Sequence, residues 1–286
     1  FPPESWYEPD FWVDHLHPDD RDEAMRYCTT AIRRGEPHEF EYRMRKADGQ
    51  WVWLRDIVDV VVGPDGPQLL RGVLVDVTDR KRAEREVEAR VRQQAAVADL
   101  GRAALAGADM DALCDQACRQ VAEALDVEYA KVLELLPDLR RLLLRSGVGW
   151  QGGLVGEATV DAGVDSQAGF TLLSSGPVIV ADLRTETRFH GPPLLLEHGV
   201  GSGVSVVIQG PDRPFGVLGA HTSRQRRFTD EDVNFLQAVA NVLAEAHRGR
   251  LAEEASRAAE NRYRALFEHT PCSVLAIDPA DGSFLD

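Results

Sequence analysis

The segment GVGWQG, residues 147–152, has the glycine spacing of a phosphate cradle. Such a cradle works when a strand precedes it and a helix N-terminus follows, so that backbone amides meet a pyrophosphate. Here GLVGEATVDAG follows, which carries no helical pattern, and the glycines read as a turn. GVSVV, residues 203–207, matches a nucleophile elbow only as far as Ser205. Val207 stands where the second glycine belongs, and a β-branched run resists a sharp turn, so Ser205 reads as a sheet residue. His15 and His17 sit in HLHPDD, and His190 and His198 flank a Pro-Leu segment without an HExxH pattern. They read as hydrogen-bonded histidines rather than metal ligands. Carboxylates are abundant but scattered, and no pair stands out as general acid and base. The cysteines are Cys28, Cys114, Cys118 and Cys272, with no CxxC among them. Cys114 and Cys118 lie four apart on one helix face, as small buried residues of a reducing compartment would. The residues name no catalytic group, no metal and no cofactor. Lacking a catalytic constellation, the chain reads as one that senses or scaffolds.

The bulk numbers agree with that. The 286 residues are 44% hydrophobic, enough for one or two cores, and the net charge is −15. Nucleic acid and anionic membrane need a basic face, so both are disfavoured as partners. No apolar run approaches the roughly 18–20 residues of a membrane span, and no signal peptide is present. A cytoplasmic protein is the expectation. Only Lys46, Lys81 and Lys131 are lysines among 32 basic residues, an arginine bias that fits a GC-rich bacterial gene. The chain starts at Phe1 and stops at Asp286 in mid-pattern, which suggests a fragment.

Residues 19–34 have helical spacing, with Asp19 and Asp20 at the positive end and Gly35 after the last turn. Strands are expected at 38–46, 51–62 and 68–77, joined by the Asp-Gly turns ADGQ and GPDGPQ into an antiparallel meander. The apolar run then ends in DVTDRKRAEREVEARVR, residues 76–92, where Thr78 is placed to cap a helix. In that helix Glu86–Arg90 and Glu88–Arg92 are spaced for ion pairing. Val87, Val91, Ala98 and Leu105 trace a weak heptad seam. The spacing fits a solvated linker helix and a parallel dimeric coiled coil equally. Residues 110–125 form an amphipathic helix, followed by strands at 128–136 and 140–146 and an irregular glycine-rich stretch over 147–176. Strands return at 177–181, 203–209 and 215–222, with a short helix within 192–198. Thr229 and Asp232 approximate a capping box for a closing helix over 229–248, and a charged helix spans about 250–268. A strand at 273–278 follows.

These pieces carry a family resemblance. FWVDHLHPDDRDEA, GEPHEFEYRMRKADGQWVWL and RGVLVDVTDRKRAE resemble the later two-thirds of a PAS domain whose first strands would precede Phe1. In that family the last strand ends in an Asp-x-Thr motif, matched here by Asp76 and Thr78, that couples the sheet to an outgoing helix; Asp79 lies beside it. TRFHGPPLLLEHGVGSGVSVVI and PFGVLGAHTSRQRRFTDEDVNFLQAVANVLAEA resemble a GAF domain. The bilin-binding group carries a pocket cysteine, and no cysteine lies between residues 119 and 271. The cyclic-nucleotide group has an Asn-Lys pair and an Asp-Glu pair, and here Val233 follows Asp232. ENRYRALFEHTPCSVLAIDPADGSFLD resembles the start of a second PAS domain.

The resemblance implies an α+β chain, with PAS-like and GAF-like antiparallel sheets flanked by helices and joined by long signalling helices. Its expected parts are a PAS domain at 1–80 lacking its N-terminal part, a linker helix at 81–93 and a GAF domain at 94–248. A second linker helix at 249–262 and a truncated PAS domain at 263–286 complete it. It further implies a sensory segment of a bacterial two-component histidine kinase, homodimeric through its linkers, with a diguanylate cyclase or phosphodiesterase, or a ligand-free dimerisation scaffold, as alternatives. An unknown small molecule in the GAF unit would meet Trp150, Phe170, Phe189, His190 or His221.

Overall fold

The computed structural model describes residues 1–64, 66–268, 276–277 and 284–285. The chain divides into two compact units, Phe1–Arg90 and Val91–Asp286. It is a mixed helix and sheet protein with antiparallel sheets. Among the described residues no helix is long and apolar enough to cross a membrane.

The first unit opens with a 3-10 turn at Pro3–Tyr7, then α1 (Phe11–His15) and α2 (Pro18–Arg34). Pro18 starts α2 because its missing N–H is not needed there, and Gly35 stops it in the left-handed conformation at φ 67°. Strands β1 (His38–Arg45), β2 (Trp51–Gly63) and β3 (Gly66–Asp76) form an antiparallel sheet in chain order. Arg43 on β1 docks α2. Its Nε and Nη2 donate to the two oxygens of Asp20 at 2.8 and 2.6 Å, and its backbone amide adds a bond of 2.9 Å. The guanidinium holds the Asp20 carboxyl below its usual range. Tyr42 and Met44 alternate inward on β1 to meet Phe11, Leu16 and Ala24, as a period of two requires. β3 is an edge strand whose Leu69, Leu70, Val73, Leu74 and Val75 are exposed.

Helix α3 spans Thr78–Leu105, longer than the linker read from sequence. Val87, Val91, Ala98 and Leu105 are exposed, while Ala96 and Leu100 enter the second unit's core. A helix turning every 3.6 residues shows a 3.5-residue seam and a core stripe on different faces. The ion pairs on α3 run from Arg80 and Lys81 to Glu84, Arg82 to Asp79 and Arg102 to Asp99. The expected Glu86–Arg90 and Glu88–Arg92 pairs are not among them, and exposed pairs of this kind contribute little.

In the second unit α4 (Met110–Leu125) is capped by Asp109, whose side chain accepts from the Ala112 amide at 2.9 Å. Cys114 and Cys118 are fully buried on its inner face. Strands β4 (Tyr129–Leu135), β5 (Arg141–Val148), β6 (Thr159–Asp161), β7 (Val178–Val180), β8 (Ser202–Ile208) and β9 (Gly216–Thr222) build a six-stranded antiparallel sheet in the order β6-β5-β4-β9-β8-β7. The stretch expected to be irregular holds β6 and a helix, α5 (Gln167–Leu173). Ser166 caps α5 through Gly169, a signal masked by the surrounding glycines. A short α6 spans Pro193–Leu196. One sheet face packs on α4, part of α3 and α7, with Val132, Val204, Leu218 and Ala220 meeting Leu236, Val239 and Leu243. The other face lies under α5 and α6.

The two helices expected at 229–248 and 250–268 are one continuous α7, Asp230–Glu268. Gly249 lies between them without breaking the helix, since one glycine costs only about 1 kcal/mol. Ion pairs Arg250–Glu254 and Arg264–Glu260 line its far half. Its start is a reciprocal cap. The Thr229 amide donates to Asp232 Oδ2 at 3.1 Å, and the Asp232 amide donates to Thr229 Oγ1 at 3.2 Å. Beyond α7, the pair β10 (Ala276–Ile277) and β11 (Phe284–Leu285) is antiparallel. Cys272 and most of the expected second PAS segment lie outside the described residues.

Candidate functional site

Two places concentrate polar groups. The first is the joint between β3 and α3. Thr78 is the first residue of α3, yet the bond its Oγ1 accepts comes from the Trp53 amide on β2, at 3.0 Å. The Thr78 amide donates to Asp76 Oδ1 at 2.9 Å, and the Val77 amide donates to the Trp53 carbonyl at 2.9 Å. Thr78 is thus bonded to a strand rather than used as the expected free cap. Its hydroxyl and amide hold the Asp76 carboxyl below its usual range. Asp79 takes no part, being 98% exposed and paired only with Arg82.

Sequence reasoning missed the other half of this joint. Lys81 Nζ reaches Glu41 on β1 at 2.7 Å, and Arg80 pairs with the same carboxylate. The Trp53 ring is faced by Arg43, Lys81 and Arg85 at 5.5, 5.2 and 5.3 Å. The first two turns of α3 are therefore tied to β1 and β2 by charge as well as by hydrogen bonds. Opposite charge at a separation of 39 or 40 residues was the only available signal, and it is a weak one.

The second place is the sheet face under α5 and α6. Four of the five residues nominated for a ligand meet there. Phe170 and Phe189 have ring centroids 5.4 Å apart, Trp150 and His221 6.2 Å. Trp150 Nε1 donates to the Ala130 carbonyl at 2.8 Å, fixing the indole against β4. His190 stands apart. It is exposed and lines a cleft of about 440 Å3 with Asp161, Asp165 and Glu197.

The unpredicted members are Lys131, Gln167, Thr171 and Ser205. Lys131 is 2% exposed, Gln167 2% and His221 1%. Lys131 pairs with Gly219 across β4 and β9, and Gly219 pairs with Ser205 across β9 and β8. Ser205 and Thr171 on α5 share a hydrogen bond of 2.8 Å. A Cβ at Gly219 would lie 2.7 Å from His221 Nε2 and 3.3 Å from Lys131 Cε. Both basic side chains therefore lean over this glycine, which leaves them the room. Among the described residues no carboxylate pairs with Lys131, whose amine instead faces the neutral Trp150 ring at 5.5 Å. Burial lowers the Lys131 amine to about 7 and, with Lys131 nearby, drops His221 well below its ordinary value.

Comparison with known proteins accords with both units. The PAS fold model matches residues 1–74, and the GAF domain model matches residues 109–247. An uncharacterized protein, y4lL of Sinorhizobium fredii, is 37% identical over 76 residues, which are 26% of this chain and 9% of that protein. The chain therefore spans under a tenth of the curated relative it matches. The GAF domain of a phosphoenolpyruvate-protein phosphotransferase from Coxiella burnetii superposes with a TM-score of 0.51 at 16% identity. That match covers 59% of this chain and 98% of the other, a likeness of fold. The N-terminal domain of a diguanylate cyclase with PAS/PAC sensor from Marinobacter aquaeolei is 32% identical over 28% of this chain and 75% of its own, with a TM-score of 0.27. The chain thus carries a PAS fold at residues 1–74 and a GAF domain at residues 109–247, a pair of sensory domains that supports a bacterial signalling sensor.

Proposed function

We propose that the chain is the PAS–GAF–PAS sensory segment of a cytoplasmic bacterial histidine kinase, working as a homodimer through its linker helices. The observation that supports it is the joint at Thr78. A helix whose first turns are bonded to Trp53 and Glu41 of a sheet continues without a break to Ala96 and Leu100, which are core residues of the next unit. A change in the curvature of the first sheet would shift or rotate that helix, and the second unit would respond as a population shift. Helix α7 would carry the movement onward, and the exposed Val87, Val91 and Leu105 would meet their copies in the partner. A small molecule bound in the GAF unit near Trp150, Phe170 and Phe189 would bias the same equilibrium.

The test uses the full-length protein. Incubation with γ-labelled ATP is expected to give acid-labile, alkali-stable phosphohistidine. Conversion of GTP to a cyclic dinucleotide with no phosphohistidine would assign the output to a cyclase and overturn the kinase. Analytical ultracentrifugation at tens of micromolar is expected to give a dimer, and a monomer would remove the coiled-coil coupling.

A further inference from the structure

On the sheet face under α5 and α6 the GAF unit holds a buried base that, among the described residues, pairs with no carboxylate. Lys131, on the central strand β4, points to the face under α5 and α6 and is fully enclosed. Isolated buried charge is costly, and proteins that keep it give it a counter-ion. Among the described residues the protein supplies none here. Two further polar groups at the same face are also unmatched. His221 Nε2 is buried without a hydrogen-bond partner and hangs over Gly219 beside Lys131 Cε. Gln167 is buried with neither its amide nitrogen nor its amide oxygen bonded. It lies one helical turn before Thr171, whose hydroxyl bonds to Ser205 in the strand beside Gly219. Lys131 and His221 thus lean from two paired strands over bare glycine, and Gln167 adds an unbonded amide on α5, which covers the same sheet face. Apart from the paired Thr171 and Ser205 hydroxyls, the apolar and aromatic cluster of Trp150, Phe170 and Phe189 lies alongside.

We propose that this site binds a small organic monocarboxylate, its carboxylate held by Lys131 and His221 and its body packed against Trp150 and Phe170. This deepens the reading of the GAF unit as a ligand sensor and rests on it. The count of charges selects the ligand. Burial and Lys131 keep His221 neutral, so the site offers one positive charge and suits a monoanion rather than a phosphate dianion. The planar carboxylate has two acceptor oxygens, one for the ammonium and one for the imidazole N–H. Gln167, whose amide is buried and unbonded on α5, would accept from or donate to a polar substituent on the ligand body.

The experiment measures thermal stability and titration calorimetry of the full chain with sodium acetate, propionate and pyruvate. Acetamide and propionamide serve as neutral isosteres, with ionic strength held constant by sodium chloride. At least one carboxylate is expected to raise the melting temperature saturably while its amide does not. Binding at pH 8 is expected to take up a proton, seen as a heat that differs between HEPES and Tris, because the anion recharges the Lys131 amine. Lys131→Met, with folding verified by circular dichroism, is expected to weaken carboxylate binding at least tenfold, and Gln167→Leu to alter the ranking among the acids. No saturable carboxylate effect, equal effects from acids and amides, or unchanged binding to Lys131→Met would overturn the proposal. The sensor reading fails separately, if a bound carboxylate leaves the output of the full-length protein unchanged.

Discussion

The Trp53 backbone amide donates to the Thr78 hydroxyl across 3.0 Å, joining the middle of a sheet to the first residue of a 28-residue helix. Side-chain hydroxyls at this position normally serve their own helix. Here the hydroxyl is given to the sheet, which makes the helix start a fixed point of the first unit. The consequence can be measured. Thr78→Val is expected to cost about 1 kcal/mol of stability in the first unit by chemical denaturation, since it leaves one amide unpaired. Thr78→Ser keeps the oxygen and should recover most of it. Equal loss in both variants would mean that the methyl, not the bond, matters.

The Asp76 carboxyl is held below its ordinary value by the hydrogen bonds from Thr78. A carboxyl depressed in the folded state contributes stability above its unfolded value and loses it as the pH falls through its folded value. Asp76→Asn should therefore flatten the acid limb of the first unit's stability below about pH 4, and leave the slope near pH 7 unchanged. The readout is the denaturation midpoint against pH.

Lys131 gives the opposite sign. Its amine falls from 10.5 to about 7 on folding. The unfolded chain then binds the extra proton between those values, so stability rises with pH across that window. The penalty is complete below about pH 7. Lys131→Met is expected to remove this rise and to stabilise the second unit at neutral pH and below by an amount on the order of a few kcal/mol. A variant less stable than the parent at pH 6 would contradict the burial argument.

Burial pushes the Cys118 thiol up to about 12 and raises Cys114 and Cys28 as well. Thiolate is the reactive form. Labelling of Cys114 and Cys118 with a maleimide should wait for unfolding of the second unit, whereas half-buried Cys28 should label sooner, as followed by mass spectrometry over time. Fast native labelling at Cys114 would show that α4 opens locally.

Gly216 begins β9 where a Cβ would overlap the Leu133 carbonyl on β4. Backbone cannot retreat as a side-chain tip can. Gly216→Ala is expected to lower the stability of the second unit by about 2 kcal/mol or more, while Gly152→Ala, with open space around it, should be close to neutral. Paired urea melts decide it.

The sequence by itself determined what depends on neighbours along the chain. The Thr229–Asp232 cap, the buried face of Cys114 and Cys118, and the meander read from its Asp-Gly turns all rest on spacings of a few residues. Such interactions need only local geometry, so their pattern is legible. The aromatic cluster around Trp150 and Phe189 was legible in part, because large apolar residues must be buried somewhere. What only the tertiary structure decided is where distant residues meet. Lys131 reads as an ordinary strand lysine until β4 takes the centre of a six-stranded sheet, covered on both faces. Strand register then sets it against Gly219, 88 residues away, on the sheet face covered by a helix the glycines had hidden. The Thr78–Trp53 bond likewise needs the pairing of β2 with β3. Pairing between strands depends on the hydrophobic surface buried by the whole sheet, a sum over the chain that no short spacing records.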